Sequence, residues 1–356
     1  MKIAVALSGG VDSAVTAYIL KSQGHDVIGI FMKNWSDDYG LKGDCPWEKD
    51  QNDAMQVCEF LQIPFYTFNF EREYRERVIN YFFEEYKNGR TPNPDVFCNS
   101  EIKFDLFLRK SIERFDVDKI ATGHYARVID QKEYFALFRG DDLSKDQSYF
   151  LCRLTQNELS KSIFPLGEMT KKEVRKIASD IGLPVATKKD SQGICFVGKI
   201  NVREFLRSEL GMKDGDIVDI ETNKILGRHH GLWFYTIGQR EGLGLGGGPW
   251  YVVKKDLDSN IVFVARGRNN PFLYKDFVIV EDLIWTYEKN VNKLDNLDNL
   301  SITLRYQQSP IRCISYEWKD KDLVLHLENK AFAVSPGQVG CLMSGDEVIG
   351  SGIIKA

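Results

Sequence analysis

No Cys-x-x-Cys pair occurs in the 356 residues, although the chain has seven cysteines. Zinc ribbons and cysteine-ligated iron–sulfur sites are built on that spacing, so neither is expected and no protein-held metal is assigned. An odd count argues against a disulfide framework and for thiols kept in a reducing compartment. No apolar run approaches the roughly 20 residues that a membrane-spanning helix needs. A strand pattern begins at Lys2, which leaves no room for a signal peptide. A cytoplasmic protein with no membrane partner is expected. No internal repeat is present. Neither sign of charge dominates: 47 Lys and Arg stand against 51 Asp and Glu, a formal net charge of −4. That balance speaks mildly against nucleic acid, unless basic residues gather on one face of a compact monomer. The run from Lys161 to Lys189 is the candidate face.

A complete Walker loop is also missing. Gly193–Lys199 fits its first seven positions, but Ile200 stands where a magnesium-binding hydroxyl is required. Gly242-Leu243-Gly244-Leu245-Gly246-Gly247 has dinucleotide-loop spacing, yet Pro249 and a β-run follow instead of a helix. A glycine-rich loop is the better reading there.

What is present begins at the N-terminus. The apolar run Lys2–Leu7 ends in Ser8-Gly9-Gly10-Val11-Asp12-Ser13, and a helical pattern follows. A buried strand that turns through glycines into a helix start points backbone N–H groups and a positive dipole end at one spot, which suits a phosphate. Gly9 and Gly10 permit close approach, and Ser8 and Ser13 add hydroxyls. Asp12 could act through a metal ion on the phosphates or cap the helix. No lysine follows the glycines. The pattern resembles the pyrophosphate loop of the ATP pyrophosphatases, which split ATP between its α and β phosphates.

The first 200 residues alternate strands (Lys2–Leu7, Asp26–Met32, Phe65–Asn69, Lys119–Ala121) with helices (Asp50–Leu61, Glu71–Lys87, Glu101–Phe115, Thr170–Ile181). This alternation predicts an α/β fold around a parallel sheet, with ligand at the carboxyl ends of the strands, where Ser8 and Lys33 fall. Beyond about residue 210 short β-runs take over: Gly231–Tyr235, Trp250–Lys254, Ile261–Ala265, Ser301–Arg305, Leu323–Leu327 and Ala331–Val334, with Asn290–Asn299 as a loop. Expected domains are 1–208 (catalytic), 209–272 (small and β-rich) and 273–356 (β-barrel).

Arg90–Asn99 is the second dense segment. Two prolines and two asparagines predict irregular structure, with Cys98 at a loop end before a helix from Glu101, where a thiol pKa falls. Cys195 also lies in a polar, glycine-containing loop. Cys58, Cys152, Cys313 and Cys341 have apolar neighbours and read as small buried hydrophobes, while Cys45 is ambiguous.

Taken in order, Ser8–Ser13, Phe31–Trp35, Gly89–Asn99 with Ile102–Phe104, Thr122–Ala126, Lys145–Phe150, Gly193–Phe196, Tyr235–Arg240, Arg305-Tyr306 and Pro336–Gln338 resemble the tRNA-specific 2-thiouridylase family along nearly the whole chain. Ala14 departs from the second serine that many relatives carry. The resemblance implies a pyrophosphate-loop domain, a β-rich middle and a C-terminal barrel. It implies ATP, with Mg2+, on Ala6, Leu7, Ser8, Gly9, Gly10, Val11, Asp12 and Ser13, with Met32 and Gly123 near the adenosine. It implies adenylation of the C2 oxygen of uridine 34 and attack by a persulfide sulfur carried on Cys195. That sulfur comes from a cysteine desulfurase or relay protein. Cys98 then resolves the persulfide, and a Cys98–Cys195 disulfide can form. Asp95 would be a base, and Asn93, Pro94 and Asp95 the pocket for a flipped-out base. His124, Lys145, Asp146, Gln147, Arg305, Tyr306 and Gln338 would hold tRNA, expected to be the Lys, Glu and Gln tRNAs. Two other readings stay open: another pyrophosphate-loop enzyme that modifies tRNA or forms amides, and a non-catalytic tRNA-binding protein.

Overall fold

The protein is described from a computed structural model, which covers residues 1–35, 47–189 and 201–355. Cys45, Cys195 and the Walker-like stretch lie outside the described residues.

Five parallel strands form the first sheet, in the order β3-β2-β1-β4-β7. They are β1 (Lys2–Leu7), β2 (Asp26–Lys33), β3 (Phe65–Asn69), β4 (Lys119–Ala121) and β7 (Ser162–Ile163). The chain winds outward from β1 to β3, then returns to the other side of β1 to lay down β4. The order therefore reverses between β1 and β4, and the loops after these two strands face one crevice, the ligand position of open parallel sheets. Five of the six β1 residues are buried, as a strand covered on both faces requires. Helix α1 (Val11–Ser22) packs its Val11, Ala14, Val15 and Ala17 beneath β1.

The helix expected from Glu101 starts earlier. Asn93 caps it, its Oδ1 accepting from the Val96 N–H at 3.3 Å, and Pro94 takes the first helical position. A proline there loses no hydrogen bond, so the prolines that suggested irregular structure include the one that starts the helix. From Cys98 to Leu106 the winding is π-helical before it returns to α through Phe115. Such segments cluster at functional sites.

The first domain also contains a hairpin that was not expected, β5 (Ala126–Asp130) and β6 (Phe135–Arg139). Its β6 pairs with β17 (Glu347–Ile354) at Phe138↔Glu347 and Leu137↔Val348. Farther along the same edge β17 pairs with β12 (Tyr274–Trp285), and on its other edge with β16 (Val339–Ser344). β12, β15 (Asp322–Phe332), β14 (Ile311–Lys319), β13 (Leu300–Thr303), β16 and β17 close on themselves as a six-stranded barrel with a buried aliphatic core. All eight β17 residues are buried. Between the two domains lies a four-stranded sheet, β10-β11-β8-β9, made of β8 (Gly215–Asp219), β9 (Ile225–His229), β10 (Trp250–Asp256) and β11 (Ile261–Arg266). Two expectations need correction. Residues 232–234 form a 3-10 turn instead of a strand, and Glu288–Asp295 is a 3-10 helix where a loop was expected.

Candidate active site

Ser8, Gly9 and Gly10 link β1 to α1. Gly9 adopts φ +70°, and a Cβ there would sit 2.3 Å from the Asp50 carbonyl oxygen. Only glycine serves, because any side chain would strain the backbone and push away helix α2 (Trp47–Leu61). Ser13 Oγ accepts from the Ser8 N–H at 3.2 Å and donates to the Gly10 carbonyl at 3.1 Å, and Ser8 Oγ lies 3.3 Å away. Both serines of the motif thus tie the loop to itself. The loop after β4 closes the other wall of the crevice: a Cβ on Gly123 would lie 2.8 Å from the Ser13 nitrogen. A Gly9→Ala chain should fold, because the loop is at the rim of the core, but lose most ATP affinity. Equilibrium binding of a non-hydrolysable ATP analogue measures this, and unchanged affinity would contradict the assignment of this loop.

The loop itself has no lysine, yet two ammonium groups reach it from far along the chain. Lys171 Nζ lies 2.8 Å from both carboxylate oxygens of Asp12, and Tyr125 donates its hydroxyl to Asp12 Oδ1 at 2.9 Å. Lys188 Nζ donates to the Gly9 carbonyl at 3.0 Å and to Asp50 and Asp53 at 2.7 and 2.5 Å. Burial works against the Lys188 charge, but the hydrogen bonds and charges of Asp50 and Asp53 outweigh it and hold its pKa above the usual lysine value. Arg175 Nη1 braces this strand of chain through the Ala186 and Lys188 carbonyls. The Lys161–Lys189 run is thus divided: Lys172, Lys176 and Lys189 are exposed, Lys171 and Lys188 reach the loop, and Arg175 holds the backbone at Lys188. The sequence reading missed Lys171 and Lys188 as site residues. The available signal was a basic run in a chain whose phosphate loop has no cation of its own.

Ala6, Leu7 and Met32 are buried at the strand ends beside the loop, and Val11 is buried in the first turn of α1. Lys145–Gln147 pack against the loop after β4. Gln147 exchanges backbone and side-chain hydrogen bonds with Tyr125, at 2.9 Å and 3.1 Å. Asp146 is spent on this architecture, accepting from the N–H groups of Gly140 and Ser148 and from the Ser148 hydroxyl. His124 is buried between Phe104 and Phe164, and its Nδ1 is 2.7 Å from Thr122 Oγ1. Burial, helped by the Lys103 charge, holds its pKa well below the usual value, so it is neutral at pH 7. A neutral ring can position or stack but adds no charge toward a phosphate.

The cysteine loop is held by the barrel. Gln338 donates from Nε2 to the Thr91 and Pro92 carbonyls at 2.8 and 3.2 Å, and the Thr91 N–H donates to the Pro336 carbonyl at 2.8 Å. Arg90 forms an ion pair with Glu281 at 2.7 Å. Cys98 is fully buried in the core that also contains Met32, Trp35 and Phe205. Asp95, on the same turn, gives its backbone carbonyl to Asn99 Nδ2 at 3.0 Å. Arg305 bonds to the Ala333 carbonyl, and the Tyr306 ring meets Phe150 at 4.4 Å. Gln338 and Tyr306 therefore join the barrel to segments of the first domain, while the Arg305 bond stays within the barrel. Among the described residues no group of three or more His, Cys, Asp or Glu side chains could hold a metal, and no helix is long and apolar enough to cross a membrane.

Known proteins share this layout. Residues 1–199 match a family model described as a tRNA methyl transferase HUP domain, and residues 203–266 match a tRNA methyl transferase PRC-barrel domain. Residues 275–354 match an aminomethyltransferase beta-barrel domain. A tRNA-specific 2-thiouridylase of Geobacillus kaustophilus is 45% identical over 357 residues, covering 99% of this chain and 95% of that one. One from Staphylococcus aureus is 44% identical with the same coverage. The chain belongs to the tRNA-specific 2-thiouridylase family. Within that family frame, the α/β architecture with a parallel-sheet domain, a small β-domain and a closed barrel is the one the sequence resemblance implied.

Proposed function

We propose that this protein uses ATP to replace the C2 oxygen of the wobble uridine of tRNA with sulfur. The observation that carries the reading is the crevice at the ends of β1 and β4, where a helix N-terminus, Lys171 and Lys188 meet at one glycine loop. That is a polyphosphate site, whereas the methyl transfer in the family models' descriptions would give these groups no phosphate to hold. Ser8–Ser13 would cradle the phosphates, with Met32 and Gly123 beside the adenosine. Mg2+ would enter with the ATP phosphates, and Asp12 is the carboxylate placed to meet it once Lys171 turns to phosphate.

The uridine C2 oxygen attacks the α-phosphate and pyrophosphate leaves, so C2 now bears AMP as its leaving group. The terminal sulfur of a Cys195 persulfide attacks C2 and AMP departs. The Cys98 thiolate then attacks the Cys195 sulfur, leaving 2-thiouridine on the RNA and a Cys98–Cys195 disulfide that an external thiol reduces. Asp95 takes the proton released at the target base, within a pocket formed with Asn93 and Pro94. The persulfide comes from a cysteine desulfurase or a relay protein. The substrates are the Lys, Glu and Gln tRNAs, bound by a monomer in the cytoplasm. Lys145, the exposed Lys172, Lys176 and Lys189, and stacking on Tyr306 would face the RNA, giving salt-sensitive binding.

Incubation with tRNA, Mg-ATP, a desulfurase and cysteine should give a tRNA band retarded in a mercury-containing gel, dependent on ATP and accompanied by AMP. No retarded band with a donor system that supports another 2-thiouridylase, or a methylated product, overturns the reading.

A further inference from the structure

The glycine-rich stretch of residues 242–248 takes no part in the chemistry above, yet its construction is specific. Leu243 is buried and Leu245 packs beside it in the core of the central sheet, while the glycines around them are exposed. Gly247 has φ +70° and needs glycine for that backbone. Gly246 does not: its backbone is not left-handed, and a Cβ there would meet nothing within 4 Å. Nothing inside the protein requires a glycine at 246, whereas a backbone pressed closely against it from outside would. The loop is held in shape by its neighbours. Trp250 Nε1 donates to the Gly246 carbonyl at 2.9 Å, and Gln239 Nε2 donates to the Glu241 carbonyl at 2.9 Å.

A groove of about 240 Å³ runs between the two limbs of this loop, lined by Arg240, Leu243, Leu245, Pro249 and Trp250. Two further guanidinium groups flank it. Arg203 Nη1 lies 3.8 Å from where a Cβ on Gly242 would sit, and Arg266 stands directly opposite Trp250 in the β10–β11 ladder. Arg203, Arg240 and Arg266 are all exposed. Among the described residues none of the three pairs with a carboxylate, although Glu204 and Glu241 are their sequence neighbours.

We infer that, with tRNA as the substrate proposed above, this groove holds a second stretch of the same RNA by its ribose-phosphate backbone. Planar guanidinium groups suit phosphate oxygens, the bare loop lets the backbone come close, and Trp250 offers a partly exposed ring edge to a ribose. The groove is also continuous with the site already described. Thr236 Oγ1 lies 3.3 Å from Thr91 Oγ1 in the cysteine loop, and a Cβ on Gly89 would touch Leu257 at 3.2 Å. From Thr236 to Arg240 the chain spans at most about 14 Å. That is about four base-pair steps of 3.4 Å, so an RNA with its wobble base at Cys98 carries its anticodon stem to the groove. The contact reads no base; it adds affinity and fixes the direction in which the stem leaves the crevice.

A chain with both Arg240→Ser and Arg266→Ser should bind full-length tRNA about 10-fold more weakly at low salt. The slope of log affinity against log salt should fall by about 2, one for each phosphate contact removed. Thiolation kcat at saturating tRNA and the affinity for ATP should be unchanged, so the loss falls on KM for tRNA. Gly246→Val adds bulk that no protein atom meets, so it should weaken tRNA binding without lowering the melting temperature. Arg312→Ser removes an equal charge from β14, where Arg312 pairs with Asp298 and Glu328, and should change neither affinity nor slope. Anisotropy of labelled tRNA across a salt series measures all four chains. Unchanged affinity and slope in the double variant, beside normal binding by the unaltered chain, overturn this inference alone. Unchanged tRNA binding with slower sulfur delivery from the desulfurase also overturns it, in favour of a protein partner. An unaltered chain that binds no tRNA at low salt overturns the thiolation reading as well.

Discussion

A Cys98→Ser chain is expected to lose thiolation by at least about 10³-fold while still releasing AMP in the presence of tRNA and ATP. Serine is slightly smaller than cysteine and leaves a hydroxyl in a fully buried position, so a modest fall in melting temperature is expected without loss of the fold. Its hydroxyl is a far weaker nucleophile toward sulfur than a thiolate. Every other element that positions the residue remains. Asn93 still caps the helix, Asn99 still bonds to the Asp95 carbonyl, and Gln338 still grips the carbonyls of Thr91 and Pro92. The split between retained AMP formation and lost sulfur insertion is the diagnostic result. Mercury-gel analysis and AMP release on the same sample measure it. Thiolation within a few-fold of the unaltered chain under single-turnover conditions would remove Cys98 from the reaction. Loss of AMP formation as well would mean that the substitution disturbs the adenylation site.

The second large effect is expected at Lys171. A Lys171→Met chain should lose about 10²–10³-fold in kcat/KM for ATP, the range for removing one preorganised charge at a reacting centre. Two changes act in the same direction. An ammonium group that could meet the phosphates is gone, and Asp12 keeps its negative charge with Tyr125 as its remaining described side-chain partner at 2.9 Å. A carboxylate without its counterion at a glycine loop repels the triphosphate it is meant to receive. Methionine preserves the apolar stem, and the backbone nitrogen of residue 171 can still donate to Asp142 at 3.0 Å, so the helix start survives. Lys172, exposed on the next position, is the control: Lys172→Met should leave the ATP parameters unchanged. Steady-state pyrophosphate release as a function of ATP measures both. Equal kinetics for the two variants would show that Lys171 only braces Asp12.

The parts of this fold that were legible in the sequence are those governed by local chemistry. The Lys2–Leu7 run had to be a covered strand, and two glycines after it had to make a turn. The first three strands of the parallel sheet and β4 accordingly lie where the alternation put them, apart from one residue at the end of β2. Where one residue type supports two structures, the reading went astray. Pro94 alone reads as a breaker, but with Asn93 before it the same ring begins a helix. Glu328, Asn329 and Lys330 split an apolar pattern into two short strands, Leu323–Leu327 and Ala331–Val334. They are instead the exposed middle of one long strand, Asp322–Phe332. The β5–β6 hairpin escaped because its strands are short and partly exposed, so its stability comes largely from β17 and not from its own pattern. Lys171 and Lys188 escaped for a related reason. Which lysines of a basic run turn inward depends on a helix packing against α1, and no local periodicity records that.

The seam between β6 and β17 has a consequence for how the molecule is made. Residues 135–139 emerge early during synthesis, whereas their partners at 347 and 348 are among the last to appear. Until then the hairpin presents an open edge, and the barrel strand that shares the seam is missing altogether. An interrupted chain therefore displays unpaired strand edges that invite aggregation or proteolysis. The catalytic domain cannot reach its finished form ahead of the barrel that steadies it. Completion of the polypeptide thus acts as a checkpoint on the crevice between β1 and β4.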